Sequence, residues 1–434
     1  MAATVTGGLA GPPGEAPWSE PAIRSVVRRY YTVWWVYSFA GGFLFATYPL
    51  FLRARGLDQF QMNSVMAVYF VTILLTDVPT GAFADAIGRR RSFLLGCGLR
   101  VVGFIAYLLV HSYVLFLVAE AIDGLGTTFC SGAIDAWGVD ALDQLGYGTA
   151  KNRLFSRISQ LMNAGFMASA LVGAYAGQVD LTWPWILGAA GYAVSAGAGA
   201  LLMREDRAGR MEFRAREIPA RVAQRIGDGL RRGFGRRSIL FLSLANAAAF
   251  AAWSPYWLEW PQLFRDSYQA GIGVLGWIYC GLTIAHLLGS QVVAQMGRRA
   301  ARGRMRSLVA LVVTCGATLA AAGSLAKRPT LALAMLFAMK VATGAMQPLA
   351  ATWFNEEVGA EERATLLSFN STFAMLGGSA GLLGTGYFAD RYGIGRAWQL
   401  LGLVLLTAAP CYWRAEASPR EKVLPGETRE SPSA

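Results

Sequence analysis

The sequence predicts an all-α integral membrane protein whose twelve transmembrane helices form two pseudo-symmetric six-helix bundles. Three observations support this fold class. Of the 434 residues, 54% are hydrophobic and only 15% are charged, well below the roughly 25% charged residues of a typical soluble domain. The apolar residues gather in runs of about 20 residues, the length that a helix needs to cross a bilayer. The basic residues gather on alternate connecting segments, as in multi-pass membrane proteins.

The first element is a predicted cytoplasmic tail, residues 1–29. Residues 1–20 are rich in Gly, Pro and Ala and lack the basic start and apolar core of a signal peptide, so we expect the first span to be retained. The twelve spans are too long for strands, and the alternating segments of a β-barrel are absent. We place the spans at 30–52, 62–84, 92–111, 113–138, 155–178, 183–203, 238–260, 272–296, 307–326, 330–353, 366–389 and 396–413.

These spans divide the chain into two bundles, 30–203 and 238–413, joined by a basic linker, 204–237, and followed by a cytoplasmic tail, 414–434. With the N-terminus in the cytoplasm, 29 of the 39 Lys and Arg residues lie in cytoplasmic segments and 7 in outer loops. This asymmetry predicts a cytoplasmic-membrane protein with both termini inside. The net charge of +12 is then explained by topology and by contact with the anionic inner leaflet, and we expect no nucleic-acid partner.

The sequence lacks the residues that several classes of function require. The five cysteines stand singly, and there are only two histidines, so we expect no disulfide framework and no metal site. The P-loop, GxSxG and HExxH motifs are absent. We therefore expect no enzyme, no catalytic residues and no cofactor, and we expect transport to draw on an ion gradient.

The two bundles are weakly similar in sequence. SGAIDAW at 131–137 aligns with TGAMQPL at 343–349, an offset of 212 residues. Gly165 and Gly173 align with Gly378 and Gly386 at an offset of 213. Internal repeats of this kind are typical of transporters built from two related bundles.

A short motif follows the second span. Residues 81–91 read GAFADAIGRRR and resemble the signature loop of the major facilitator superfamily, G-x-x-x-D-x-x-G-R-R/K. The defining positions are occupied by Gly81, Asp85, Gly88, Arg89 and Arg90. The resemblance covers roughly 30–413 and extends to bacterial drug and metabolite efflux members. It implies a transporter of small solutes that works by alternating access.

The residue types of the loop fit this resemblance. Gly81 would permit close helix approach, and Gly88 a tight turn. Asp85 could accept hydrogen bonds from a helix start and from a guanidinium. The resemblance implies that Arg89 reaches Asp140 at the inner end of span 4, forming a latch that holds the two bundles in one state. The alternative is that these charges only fix the topology.

The second-half counterpart of the loop is degenerate. Ser290 and Ala294 stand at the positions of Gly81 and Asp85, whereas Arg298 and Arg299 persist. Because the carboxylate is lost, we expect a stronger latch in the first half.

Span 4 departs from the drug-antiporter pattern R-x-x-Q-G-x-G. Glu120 stands at the arginine position and Asp123 at the glutamine position. Span 5, GFMASALVGAYAG at 165–177, lacks the proline that the antiporter pattern expects. These motifs therefore do not identify the protein as a drug antiporter.

Ionisable side chains within spans cost roughly 2.5–3.5 kcal/mol each on insertion scales and are functional by default. Asp123 and Lys340 lie near the membrane midplane, and we expect them to approach across the substrate path. Glu120, one turn from Asp123, completes an acid pair suited to proton coupling or to a cationic substrate. Asp77 and Arg100 lie at compatible depths and are interpreted as a structural pair. His286 is interpreted as a hydrogen-bonded core residue in preference to a ligand.

Aromatic side chains in spans 1 and 7 are candidates for the substrate cavity, where they could stack on an amphipathic solute. Interface anchoring is the alternative for those near span ends. The cavity candidates are Trp34, Tyr37, Trp253 and Tyr256.

The resemblance, the acid pair and the aromatic residues together favour a monomeric, proton-coupled exporter of a small organic solute. A proton-coupled uptake symporter for a polar nutrient remains an alternative, because the antiporter arginine is missing. A non-transporting membrane sensor of the same fold is a third possibility, against which the intact first-half loop and the buried charges count.

Overall fold

The computed structural model describes residues 21–147, 151–204, 227, 229–268, 271–296, 303–325, 327–359 and 362–418. Residues 1–20 of the first predicted tail, most of the linker and most of the second tail lie outside the described residues, as do Arg298 and Arg299. The first half contains α1 Pro21–Gly42, α2 Tyr48–Ala54, α3 Gln59–Ile87, α4 Arg89–Leu109, α5 Tyr113–Asp143, α6 Lys151–Val179 and α7 Trp183–Leu202. The second half contains α8 Arg237–Tyr268, α9 Ile272–Met296, α10 Arg304–Ser324, α11 Pro329–Glu356, α12 Arg363–Tyr392, α13 Ile394–Leu406 and α14 Ala408–Ala417.

These helices form the twelve predicted spans. In the described part of the chain, ten spans are long and apolar enough to cross a membrane, with α13 and α14 counted together. Span 1, formed by α1 and α2, and span 5, formed by α6, complete the twelve. Several boundaries differ by a few residues from the prediction, and two differ more: α1 begins at Pro21 and α8 extends to Tyr268. At these two ends, polar residues continue the helix beyond its apolar stretch.

Span 1 is interrupted between α1 and α2. Residues 43–47 form turns, with the Thr47 N–H donating to the Leu44 carbonyl. Pro49 then occupies the first turn of α2, where its missing N–H removes no helical hydrogen bond. The break lets Phe45 and Tyr48 turn toward the centre of the molecule, where both line a cavity.

The halves repeat the same helix packing. Gly165 of α6 approaches the α1 backbone at Trp35 and Phe39. In the second half, Gly377 of α12 approaches the α8 backbone at Ala247. The equivalent of Gly165 is therefore Gly377, at the same offset as the 131–137 and 343–349 segments.

The predicted match to Gly378 and Gly386 is off by one residue. One helical position rotates a side chain by about 100°, so these glycines point elsewhere. Gly378 faces Ser254 of α8 and Phe70 of α3, and Gly386 faces Asn63 and Phe60 of α3. Both glycines thus contact the first half, while Gly377 packs against its own half.

The two halves meet along α3 and α12, along α6 and α9, and along α2 and α8. We call the side with the α3–α4 loop the inner side, because the charge distribution predicts it to be cytoplasmic. On the outer side, Asp390 of α12 accepts hydrogen bonds from the Gln59 and Phe60 N–H groups, both at 2.9 Å. Asn63 also donates to Glu259 at 3.2 Å. These contacts close the outer side.

Candidate functional site

A cavity of about 420 Å³ lies between the halves near their centre. Both halves contribute to its wall, which is mainly apolar and aromatic with a few polar groups. From the first half it is lined by Gly41, Leu44, Phe45, Tyr48, Met66, Tyr69, Phe70, Arg100, Phe104, Tyr107, Glu120, Asp123 and Trp185. From the second half it is lined by Phe250, Trp253, Ser254, Tyr256, Trp257, His286, Met339, Lys340, Thr343 and Gln347.

A buried ion pair stands in the first-half wall. Arg100 of α4 donates to both carboxylate oxygens of Asp123 of α5, at 2.8 and 2.9 Å. Its remaining terminal nitrogen donates to the Tyr37 hydroxyl at 2.9 Å, and its guanidinium lies 4.2 Å from the Tyr192 ring centroid. The bidentate geometry places a fixed positive charge beside span 4, although it comes from span 3.

The predicted pair of Asp77 and Arg100 is wrong, since Arg100 binds Asp123 instead. The prediction pairs Asp77 with Arg100 because their expected depths in the membrane are similar. The rotation of α3, however, leaves the Asp77 side chain exposed and away from the cavity.

Glu120 lies one turn from Asp123 and is only 4% exposed. Its carboxylate accepts a short hydrogen bond from the Tyr107 hydroxyl. The Tyr107 and Tyr48 hydroxyls lie 3.1 Å apart, and the Tyr107 ring stacks on Trp185 with centroids 4.0 Å apart. The Glu120 carboxyl group is thus held at the cavity by the Tyr107 hydroxyl, and the Tyr107 ring is in turn packed on Trp185.

The second-half wall carries Lys340 and His286, which line the same cavity as Glu120 and Asp123. The Lys340 ammonium lies 5.6 Å from the Tyr256 ring centroid. The His286 Nδ1 atom lies 3.5 Å from the Thr343 hydroxyl. Asp123, Lys340, Glu120 and His286 therefore line one cavity. That Asp123 and Lys340 approach each other across a substrate path stays a prediction.

The aromatic candidates divide into two pairs. Trp253 and Tyr256 line the cavity, whereas Trp34 and Tyr37 do not. Trp34 donates its indole N–H to Asp135 of α5 at 3.2 Å, and Tyr37 binds Arg100, so both support the first bundle from behind the wall. Further aromatic side chains line the cavity that the sequence did not indicate, because the rotation of each helix is not readable from its sequence alone: Phe45, Tyr48, Tyr69, Phe70, Phe104, Tyr107, Trp185 and Phe250.

The signature loop lies on the inner side between α3 and α4. Gly88 has a φ of 104°, a backbone conformation that favours glycine, and so permits the tight turn. Arg89 pairs with Asp85 and lies 3.7 Å from Asp140. A Cβ at Gly81 would meet no atom within 4 Å, so this glycine is not needed for close packing in this conformation.

Two expectations for the loop change. Arg89 and Asp140 belong to the same half, so their contact joins α4 to α5 and does not bridge the two bundles. The carboxylate of Asp85 contacts Arg89 and caps no helix start among the described contacts. Arg90 follows at the start of α4. The role of these residues in gating stays a prediction.

The second half has an equivalent contact that the sequence analysis missed. Arg304 at the start of α10 pairs with Glu356 at the end of α11 and lies 3.7 Å from Glu357. Its guanidinium lies 4.7 Å from the Trp353 ring centroid. The second half thus has an arginine–carboxylate contact although position 294 is alanine, because the acid comes from the end of span 10. That the first half has the stronger latch stays a prediction.

A further buried acid lies on the outer side. Glu259 of α8 is fully buried and accepts hydrogen bonds from Asn63 at 3.2 Å and from the Trp398 indole at 2.9 Å. Its position near the end of span 7 gave no signal for this contact, because the partners lie 139 or more residues away in the sequence.

Two packed helical bundles around a central cavity with buried charges define a membrane transport protein of the two-bundle type. The profile of the Major Facilitator Superfamily matches residues 31–258 and 242–433, and the chain belongs to this superfamily. It is a membrane transporter and not an enzyme. No protein of curated function matches the chain.

Solved transporter structures share this fold. Two structures of the nucleoside transporter NupG, one of them a mutant, match with TM-scores of 0.70 and 0.67 and identities of 11% and 12%. Each match covers 90% of this chain and 99% of NupG. The human organic anion transporter MFSD10 (TETRAN) matches with a TM-score of 0.60 and 15% identity, covering 91% of this chain and all of MFSD10.

Proposed function

We propose that this protein is a proton-coupled exporter of a small organic solute in the cytoplasmic membrane, with both termini inside. The observation that carries the proposal is the Glu120 carboxyl group in the central cavity, beside the Arg100–Asp123 pair. A carboxyl group exposed in turn to each side of the membrane could carry one proton per cycle. In this proposal one chain is the working unit, since both of its halves contribute side chains to the cavity wall.

The roles of the cavity residues differ in this proposal. Glu120 takes up and releases the proton, since its carboxylate contacts a hydroxyl and no cation within ion-pairing distance among the described residues. Asp123 neutralises Arg100 and keeps that charge fixed in the wall. The aromatic side chains supply the apolar surface for an organic solute. Contacts such as Asp390 with the start of α3 must break for the outer side to open.

The test is substrate-dependent proton flux in liposomes that contain the purified protein and a pH-sensitive dye. The panel includes organic acids, organic cations, neutral drugs, sugars, nucleosides and amino acids. We expect a substrate to drive protons in the direction opposite to its own movement. Glu120→Gln should reduce this coupled flux at least about tenfold, because the glutamine amide cannot exchange a proton. The exposed Glu416 at the end of α14 supplies the control variant, Glu416→Gln.

Other outcomes would contradict the proposal in distinct ways. Protons and solute moving in the same direction would establish the uptake symporter. Binding without flux would establish the sensor. Flux that is unchanged by Glu120→Gln and by the pH gradient would reject proton coupling at this carboxyl group.

A further inference from the structure

The second-half wall of the cavity presents three hydrogen-bond donors without an acceptor among the described residues. The Tyr256 hydroxyl and the Trp253 indole N–H are buried and make no hydrogen bond. The Lys340 ammonium has no carboxylate within ion-pairing distance, and its recorded contact is the face of the Tyr256 ring at 5.6 Å. Tyr256 is only 2% exposed, and all three residues line the cavity.

The first-half charges, in contrast, have partners. Asp123 is matched by two hydrogen bonds from Arg100, and Glu120 receives the Tyr107 hydroxyl. Lys340 is thus the charged group of the cavity wall that no side chain in the described structure satisfies. Buried donors without an acceptor, here the Tyr256 hydroxyl and the Trp253 indole N–H, cost stability, and the half-buried Lys340 ammonium adds a charge that no carboxylate neutralises. A ligand that supplies an anionic acceptor would remove this cost.

The surface beside these donors is aromatic. Trp257 meets Phe45 of the first half edge to face, with centroids 5.3 Å apart, and Phe250 lies 6.1 Å from Trp253. Flat apolar surfaces of this kind bind aromatic rings. Donors and aromatic walls therefore stand next to each other in one cavity of about 420 Å³, a volume that suits a small organic molecule.

We propose that the transported solute is an aromatic compound with one anionic group of the carboxylate type. The carboxylate binds the Lys340 ammonium, with the Tyr256 hydroxyl and the Trp253 indole as neighbouring donors. The ring lies against the aromatic wall. This inference rests on the proposed function, because it takes the central cavity as the transport site.

Binding of matched ligands to the purified protein in detergent tests the inference by calorimetric titration. The probes are two sets that differ only in their polar group: 2-naphthoate, its amide and 2-naphthylmethylamine, and indole-3-acetate, its amide and tryptamine. We expect at least one acid to bind at least about tenfold more tightly than its amide and its amine, a difference of about 1.4 kcal/mol.

Two variants locate the effect. In Lys340→Gln the preference of the protein for the acid over the amide should fall to about one, whereas Lys340→Arg should keep most of it. The exposed Lys327 in the α10–α11 loop provides the charge-matched control, Lys327→Gln, which should retain the full preference. Size-exclusion profiles and melting temperatures report whether each variant is folded. If Lys340→Gln does not fold, the inference is tested by the acid preference of Tyr256→Phe and by the ligand series on the wild-type protein.

The inference is overturned if amides or amines bind as tightly as the acids, if no acid binds the folded protein, or if the acid preference survives in Lys340→Gln. Its failure differs from failure of the proposed function. Acid-selective binding without proton flux in liposomes would support this inference and reject the coupling. Proton-coupled flux of neutral or cationic solutes that is independent of Lys340 would do the reverse.

Discussion

At the scale of single residues, Arg100 shows how a charge is kept inside the membrane region. Its guanidinium binds both oxygens of Asp123 and the Tyr37 hydroxyl and lies over the Tyr192 ring. The Arg100 and Asp123 side chains are 11% and 9% exposed. In a region of low dielectric constant, removing one partner of such a pair leaves the other charge uncompensated.

Asp123→Asn should therefore reduce stability as well as transport. We expect a loss of about 3 kcal/mol in the free energy of unfolding, because the Arg100 charge loses its carboxylate. Thermal unfolding of the purified protein in detergent measures the change. The double variant Arg100→Gln with Asp123→Asn removes both charges and should be more stable than Asp123→Asn alone. Equal stability of wild type and Asp123→Asn would show that the pair adds nothing to the fold.

At the scale of helices, α9 and α11 cross in close contact. A Cβ at Gly344 would overlap the His286 carbonyl, and a Cβ at Gly289 would overlap the Val341 carbonyl. Small residues at such crossings let the backbones approach closely. The same two helices carry His286 and Lys340 into the cavity wall, so the crossing fixes the distance between these side chains.

Gly344→Ala should force the two helices apart. The overlap is with backbone, which cannot move aside as a side chain would, and we expect a loss of roughly 1–3 kcal/mol. The displaced Lys340 should also weaken substrate binding. Gly384→Ala is the matched control, because a Cβ there, also within a helix of the second half, meets no atom within 4 Å.

The melting temperature and the binding constant of the two variants provide the measurement. If Gly344→Ala and Gly384→Ala behave alike, the close crossing has no energetic importance.

At the scale of the whole molecule, the outer side is closed partly by a helix cap that comes from the opposite half. Asp390 of the second half accepts hydrogen bonds from the first N–H groups of α3 in the first half. A carboxylate at a helix N-terminus is stabilised by the exposed N–H groups and by the helix dipole. Because the contact joins the two halves, it would have to break for the outer side to open, and we expect it to favour the closed state.

Asp390→Asn should shift the protein toward an outward-open state. The lost charge is worth about 1 kcal/mol at a helix N-terminus, or roughly a fivefold change in the equilibrium constant. Asp58→Asn is the matched control: Asp58 caps the same helix, accepting from the Gln61 N–H at 2.7 Å, but belongs to the same half.

Spin labels at Val179 and Lys327, in a background without the native cysteines, would report the distance between the two outer rims. Both positions are exposed, one in each half. We expect a larger population at long distance in Asp390→Asn and an unchanged distribution in Asp58→Asn. Identical spin-label distance distributions in the two variants would show that Asp390 does not stabilise the closed outer side.

The sequence by itself determined the fold and the class of protein, because span length, basic asymmetry and the 81–91 motif are local properties. It also predicted that Glu120, Asp123, His286 and Lys340 lie within membrane spans, where charged groups are costly. The Gly88 turn could likewise be predicted, because it is set by one residue between two helices. The approach of Arg89 to Asp140 was implied by the resemblance of the 81–91 motif to the family loop.

The tertiary structure decided which side chains meet. Depth along a span follows from the sequence number at 1.5 Å per residue, but the rotation of each helix against its neighbours depends on packing between distant segments. Because of that rotation, Arg100 pairs with Asp123 and not with Asp77, and Trp34 and Tyr37 point away from the cavity. It also placed Lys340 beside Tyr256, because two spans that are distant in sequence pack around one cavity.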